Sequence, residues 1–326
     1  MIISKTPFRI TFTGGGTDIR SFYQHEFGAV VNAAINKYMY IIVNKKFDDK
    51  IRVSYSKTEI VDRVEDIQHN VVREALKLAG ISKGIEIISV ADIPSEGTGL
   101  GSSSSFTVGL LNALFTFKGE PKTALELARL ACHLERDILQ EPGGKQDQYA
   151  AALGGINYME FHPDENVKHW PILLDDSDNL ERERLRRDLI LFYTGMVRSS
   201  TEIHREQTKN TETKMKNLQH MKQLAIETRR VLHQERAFDK IGPLLHEGWL
   251  KKRELASRVS NIIIDSLYQR GIDYGATGGK ILGAGGGGFL LFQCSREQQE
   301  QLKKALHPLH EVPFDFEMQG SKIIQY

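Results

Sequence analysis

The chain begins with an alternation. Phe8, Ile10 and Phe12 fall on one side of an extended segment and Arg9, Thr11 and Thr13 on the other, running into Gly14, Gly15 and Gly16. A period of two predicts a half-buried strand, and it sets Arg9 on one face with two threonines at the mouth of a glycine turn. Further strands are expected over residues 39–43, 84–91 and 189–193, and strand-like pieces at 281–282 and 289–293 flank another glycine run. Helices are expected over 70–78, over the apolar stretch 106–117, and from Pro121, placed at a first helical turn, to about 140. Others are expected over 145–153, between Gly143-Gly144 and Gly154-Gly155, over a long polar 201–234, on to about 270, and over 296–306. Near the end Val312, Phe314, Phe316 and Met318 alternate with polar residues and Pro313, which predicts a last strand. The pattern is α+β with antiparallel character and no internal repeat.

At ~100–200 residues per domain, 326 residues suggest two domains. Composition turns strongly charged across 175–187, DDSDNLERERLRR, which is either a boundary or a charged surface helix. The boundary reading divides the chain into 1–180 and 181–326. With 43 Lys and Arg against 42 Asp and Glu, there is no excess for a broad basic surface, which argues against a nucleic-acid partner. Two cysteines, Cys132 and Cys294, make no disulfide framework and suit a reducing compartment. The first ten residues lack a signal-peptide core, and the most apolar stretch, 29–43, is interrupted by Asn32, Asn36 and Lys37. A cytoplasmic protein without a membrane partner is expected, its oligomeric state left open.

Glycine is unevenly spread: 13 of the 28 lie in 14–16, 97–101 and 278–288. Such clusters are either linkers or backbone pressed against a ligand. Residues 92–105, DIPSEGTGLGSSSS, join an expected strand to an expected helix. A glycine loop there presents free N–H groups and the positive end of a helix dipole, a phosphate site, unless it is a flexible loop with a capping serine. It lacks the Gly-Lys-Ser/Thr of a P-loop, and Gly97, Gly99 and Gly101 fit the dinucleotide fingerprint poorly. Ser102, Ser103, Ser104 and Ser105 add hydroxyls able to ligate phosphate or Mg²⁺.

Glu135 shares a helical stripe with Ala128, Cys132 and Leu139, and so is either a partly buried metal ligand or a solvent-facing edge. Asp147, near the start of a short helix after two glycines, is either a general base or a complement to the helix dipole. The run KILGAGGGGF, 280–289, carries more glycine than a hairpin turn needs. Arg9 and Lys280 supply local positive charge.

Three segments taken in order, PFRITFTGGGTD (7–18), PSEGTGLGSSSS (94–105) and KILGAGGGG (280–288), resemble the motifs of the GHMP kinase family, across essentially the whole chain. Within the family, residues 28–40, 134–155 and 192–200 look most like the heptose 7-phosphate kinases. Fucokinase-type domains usually carry tryptophan in the first glycine loop, where this chain has glycine. The resemblance implies an N-terminal α/β domain with a left-handed β-α-β unit and a ferredoxin-like C-terminal domain, with ATP between them.

It also implies roles. Gly97, Gly99, Leu100, Gly101, Ser102, Ser103 and Ser104 would wrap the triphosphate. Ser103 and Glu135 would hold Mg²⁺, Asp147 would act as base, and Arg9 would lie beside the transferred phosphate. Gly15, Gly16, Thr17 and Asp18 would bind the sugar, and Gly286, in the floor of the site, would bind substrate with them. The substrates would be ATP and a sugar phosphate, with transfer to the anomeric C1 hydroxyl of D-glycero-D-manno-heptose 7-phosphate to give the 1,7-bisphosphate and ADP. A distal phosphate calls for cationic contacts, with Arg198 the first candidate ahead of Lys37 and Arg73. Ser104 and Ser105 stand where many members have alanine, which leaves the metal-ligating serine open by one place, and Phe8 stands where glycine is common. The alternatives are another sugar 1-kinase such as a fucokinase, or an ATP- and sugar-binding sensor of the same fold without turnover.

Overall fold

The computed structural model describes residues 1–94, 97–172, 178–197 and 200–325. Its first sheet is built on β1 (Ile2–Thr13) and β2 (Gly28–Lys45), antiparallel partners over nearly their full length. The smaller β3 (Ile51–Ser54) and β4 (Thr58–Val61) form a hairpin at one end. β5 (Ile85–Ala91) pairs with the outer half of β2, and β6 (Ile156–Phe161) with its inner half. Because β1 occupies the other edge of β2, β5 and β6 share one edge and run parallel to each other. β7 (Val167–Ile172) closes a hairpin on β6. Both faces of β1 are covered, so Arg9, Thr11 and Thr13 are as buried as Phe8, Ile10 and Phe12; the expectation of a half-buried strand is corrected here.

α1 (Arg20–Tyr23) follows the first glycine turn and α2 (Asn70–Ala79) precedes β5. The crossover from β5 to β6 carries α3 (Ser102–Phe117), α4 (Ala124–Cys132) and α5 (Gln146–Leu153). α3 is apolar on nearly every side and is accordingly buried, with Val108, Leu110, Leu111 and Leu114 fully enclosed. Each such side chain contributes about 1.5–3 kcal/mol. The helix starts at Ser102, four residues before the expected apolar stretch, because the chain turns into it at Gly101 and the serines form its first turn. α4 starts after Pro121, at a capping box in which Thr123 Oγ1 accepts from Glu126 N–H and Glu126 accepts from Thr123 N–H. It then widens into a π-helical turn, His133–Ile138, that carries Glu135.

The charged segment contains a helix, α6 (Asn179–Arg187), with Leu185 its buried contact; 173–177 lie outside the described residues. β8 (Leu189–Tyr193), β9 (Ala276–Ile281), β10 (Phe289–Cys294) and the short β11 (His310–Glu311) form a second, antiparallel sheet in the order β11-β8-β10-β9. With α11 (Arg296–Leu306) between β10 and β11, this is the ferredoxin-like order. α7 (Ser200–Asn210), α8 (Met215–Arg230), α9 (Ile241–Arg253) and α10 (Ile262–Asp273) fill the long connection from β8 to β9.

The single helix expected over 201–234 is broken between α7 and α8. There the hydroxyls of Thr211 and Thr213 donate to the carbonyls of Gln207 and Asn210, which competes with helical continuation. The strand expected over 312–318 is also absent. Its backbone is satisfied by two sheets in turn: Val312 N–H donates to Leu191, Glu317 N–H to Ala34, and the Asp315 carbonyl accepts from Asn36. The segment carries the chain back to the first sheet, where β12 (Lys322–Gln325), not foreseen, pairs with β1. Among the described residues no helix is long and apolar enough to cross a membrane.

Candidate active site

A cavity of about 710 Å³ opens where β1, the first glycine turn, the loop into α3, the start of α5 and α7 converge. Arg9 reaches it from β1. Its Nε and Nη2 donate to Asp147 Oδ1 and Oδ2 at 2.8 Å each, a bidentate pair, and its Nη1 donates to the Gly99 carbonyl at 2.6 Å. Arg9 is 3 % exposed, while the Asp147 carboxylate is 26 % exposed on the cavity side. Burial alone would raise the Asp147 carboxyl. The charge and hydrogen bonds of Arg9 offset that, with help from Arg136 and His204, and hold it below the usual carboxylate range.

Asp18 follows the first glycine turn. Its Oδ1 accepts from Gly16 N–H at 2.9 Å and Gln146 Nε2 at 3.1 Å, and its Oδ2 from Gln146 N–H at 3.2 Å. Burial pushes this carboxyl upward, the Asp147 charge adds to it, and the backbone donors only partly compensate. Two neighbouring carboxyls are thus shifted in opposite directions, Asp147 downward and Asp18 upward. Gly144 is required beside Asp18, because a Cβ there would lie 1.8 Å from Asp18 Oδ2. Gln146 closes the arrangement by accepting from Thr11 Oγ1 at 2.7 Å.

The α3 start carries no side-chain cap, and Gly97, Gly99, Gly101, Ser102 and Ser103 line the cavity with it. Gly99 has φ +80°, and a Cβ on it would meet the Leu282 carbonyl at 2.4 Å. The third glycine run therefore lies directly beneath this loop, with Gly283 and Ala284 in the cavity wall. Lys280, in β9, donates to the Phe12 carbonyl at 3.0 Å and so ties the second sheet to β1. Burial, then Lys252 and Arg9, push its ammonium well below its ordinary value.

Glu135 is buried, and its solvent-facing reading is not what the structure has. Its Oε2 accepts from Ser104 Oγ at 3.2 Å, Gln148 Nε2 at 2.7 Å and Arg136 Nη2 at 3.0 Å. Its Oε1, equally buried, has no partner among the described residues. A bare anionic oxygen in the interior is what a cation would complete. The described residues contain no group of three or more metal-ligating side chains. Mg²⁺ fits that poverty of ligands, since it takes one or two carboxylates and fills its shell with water and phosphate oxygens.

Of the residues singled out in the sequence, Arg9, Gly15, Gly16, Asp18, Gly97, Gly99, Gly101, Ser102, Ser103 and Asp147 come together around the cavity. Leu100 is buried behind the loop, its carbonyl accepting from Arg9 N–H. Thr17 is buried against the Gly14 and Ala29 carbonyls. Gly286 N–H is bonded to Val259, outside the cavity wall. Ser104 bonds Glu135, whereas Ser103 is exposed to the cavity. Arg198 lies outside the described residues.

Sequence reasoning missed Arg136, which binds Glu135 and the carbonyls of Glu141 and Gly144, although it is the immediate neighbour of a residue already marked. It also missed Gln146, next to Asp147, and His204, Arg205 and Lys252, which no local pattern distinguishes.

Residues 66–155 match the family model described as GHMP kinases N terminal domain, and 228–309 match GHMP kinases C terminal. The chain is 31 % identical over 322 residues to D-glycero-alpha-D-manno-heptose 7-phosphate kinase of Campylobacter jejuni, covering 94 % of this chain and 93 % of that one. It is 27 % identical to L-fucokinase/L-fucose-1-P guanylyltransferase of Bacteroides fragilis, over 93 % of this chain and 35 % of that protein. Among solved structures, a D-glycero-D-manno-heptose 1-phosphate kinase from Bacteroides thetaiotaomicron superposes with TM-score 0.82 at 25 % identity, covering 100 % and 99 % of the two chains. A putative sugar kinase from Campylobacter jejuni gives 0.79 at 29 %, covering 100 % and 98 %.

Proposed function

Because this chain belongs to the GHMP kinase family, ATP-using phosphotransferases with an alcohol group as acceptor, we propose that it phosphorylates the anomeric C1 hydroxyl of D-glycero-D-manno-heptose 7-phosphate. The observation that carries the reading is the Arg9–Asp147 pair facing the same cavity as the uncapped start of α3. A donor phosphate and an acceptor hydroxyl can meet there. The heptose assignment draws on the relative whose name carries that substrate.

Asp18 and the first glycine turn orient the sugar, and Asp147 receives its C1 hydroxyl as a hydrogen-bond donor. The hydroxyl oxygen forms the new bond to the γ-phosphorus as the bond to ADP breaks, and its proton passes to Asp147. A carboxylate held below its usual range is a modest base. It suffices because a loose phosphoryl transition state asks chiefly for position and charge compensation, and because an anomeric hydroxyl is more acidic than an ordinary alcohol. Arg9 and the N–H groups at the start of α3 offset charge on the phosphoryl oxygens. Glu135, with Ser103 or Ser104, is suited to hold Mg²⁺, which when bound neutralises phosphate charge. We place the domain boundary near residue 180, between the two family matches.

The test is ADP-coupled turnover with the heptose 7-phosphate, the free heptose, fucose and sugar 6-phosphates. Fastest turnover with the heptose 7-phosphate supports the reading. Fastest turnover with fucose, or ADP release with none, overturns it in favour of another sugar kinase or a sensor.

A further inference from the structure

Beyond the main cavity lies a second chamber of about 320 Å³. The two share Ile19, Arg136, Pro142, Gly143 and Arg205 in their walls, so one continues into the other. Ile19 and Lys145 are close chain neighbours of Asp18 and Asp147, which puts this chamber just past the residues that face the acceptor hydroxyl.

Its walls bring four cationic side chains together: Arg20, Arg136, Lys145 and Arg205. Arg136 is committed to Glu135 and backbone carbonyls. Arg20 and Lys145 both meet Glu165, a residue at φ +67° in the β6–β7 turn, and Tyr23 Oη donates to the same carboxylate at 2.9 Å. An oxyanion already sits among these donors. Arg205, on the exposed side of α7, has no partner among the described residues. Of the other acids in the wall, Asp137 is paired with His133 at 2.8 Å. The Glu141 carboxyl is pushed up by burial and by Glu135. Among the described residues, Arg205 is thus the cation of this wall without a counter-ion.

We propose that this chamber receives the distal phosphate of the sugar, held by the guanidinium of Arg205 together with Lys145 and Arg20. The inference rests on the sugar-phosphate reading above and assigns its specificity. A phosphate offers Arg205 the bidentate contact that no described residue fills, and Lys145 in the same wall would serve as a point charge.

The experiment is steady-state kinetics of the wild type, Arg205→Gln and Lys145→Gln with D-glycero-D-manno-heptose 7-phosphate and with free D-glycero-D-manno-heptose. Arg205 is exposed, so its variant folds; Lys145 adjoins the start of α5 and is the secondary probe. Loss of one charge-assisted contact is expected to raise KM for the 7-phosphate about tenfold or more, and by a clearly larger factor than it changes KM for free heptose. A wild type that prefers the 7-phosphate, with that preference intact in Arg205→Gln, overturns the chamber assignment alone. A wild type with no preference for the phosphorylated sugar overturns the sugar-phosphate reading and the assignment together.

Discussion

Exchanging Asp147 for asparagine keeps the shape of the side chain and removes its charge. Arg9 then loses its counter-ion in a site where it is 3 % exposed, and one of its two 2.8 Å donors no longer faces an acceptor. Breaking a fully buried pair costs about 3–5 kcal/mol. Asp147 is 26 % open to the cavity and Arg9 keeps the Gly99 carbonyl, so the expected loss is smaller, about 1.5–3 kcal/mol, the range for hydrogen bonds to charged groups. The same exchange removes the proposed proton acceptor and should lower kcat by about 10²–10⁴-fold. KM for ATP should stay within about threefold, because the proposed triphosphate contacts lie in the loop before α3.

Coupled ADP release gives the kinetic terms and urea denaturation the stability. Because the native Asp147 carboxyl lies below its ordinary range, its contribution is present above the unfolded value of ~3.9 and is lost as pH falls through the lower native value. The variant should therefore lose less stability than wild type on acidification through that window. A destabilised Asp147→Asn with kcat within about threefold of wild type would show the pair to be structural only.

Three other substitutions probe the surroundings. Gly99→Ala, at φ +80° and with its new methyl 2.4 Å from the Leu282 carbonyl, should cost at least about 1–3 kcal/mol and raise KM for ATP; an unchanged melting curve would contradict the close approach of loop and floor. Glu135→Gln should raise the Mg²⁺ concentration needed for half-maximal rate, read by titrating Mg²⁺ at fixed ATP, whereas an unshifted titration would refute Glu135 as the proposed metal ligand. The Lys280 ammonium is depressed by burial, so the unfolded chain binds the extra proton between that lowered value and ~10.4, and native stability rises with pH across this window. In Lys280→Met that rise should vanish from urea midpoints taken at pH 9, 9.5 and 10; identical slopes in variant and wild type would refute it.

The features legible in the sequence are those whose physics is local. Alternation along β1 set Arg9 on the face of Thr11 and Thr13, and the glycine clusters marked where backbone packs against backbone, as Gly99 does on Leu282. The burial of Glu135 was half legible: its stripe was apolar, but only the π-helical turn and the donors from Ser104, Gln148 and Arg136 turn it inward. The boundaries of α3 and α4 were missed because serine and proline carry ambiguous signals until Gly101 and the Thr123–Glu126 box set the starts. What could not be read is what crosses the chain. β12 pairs with β1 from the far end of the sequence, the segment 312–318 is divided between two sheets, and α7 brings His204 and Arg205 to the cavity with no local mark of their use.

Relatives carry names that place the substrate phosphate at C7 in one case and at C1 in another, and the position of transfer separates them. The direct measurement is ³¹P NMR of the product formed from ATP and D-glycero-D-manno-heptose 7-phosphate. The expected result is a second sugar phosphate coupled to the anomeric proton, with one ADP formed per sugar. A new phosphate on any other carbon, or turnover confined to the heptose 1-phosphate, would contradict transfer to the C1 hydroxyl.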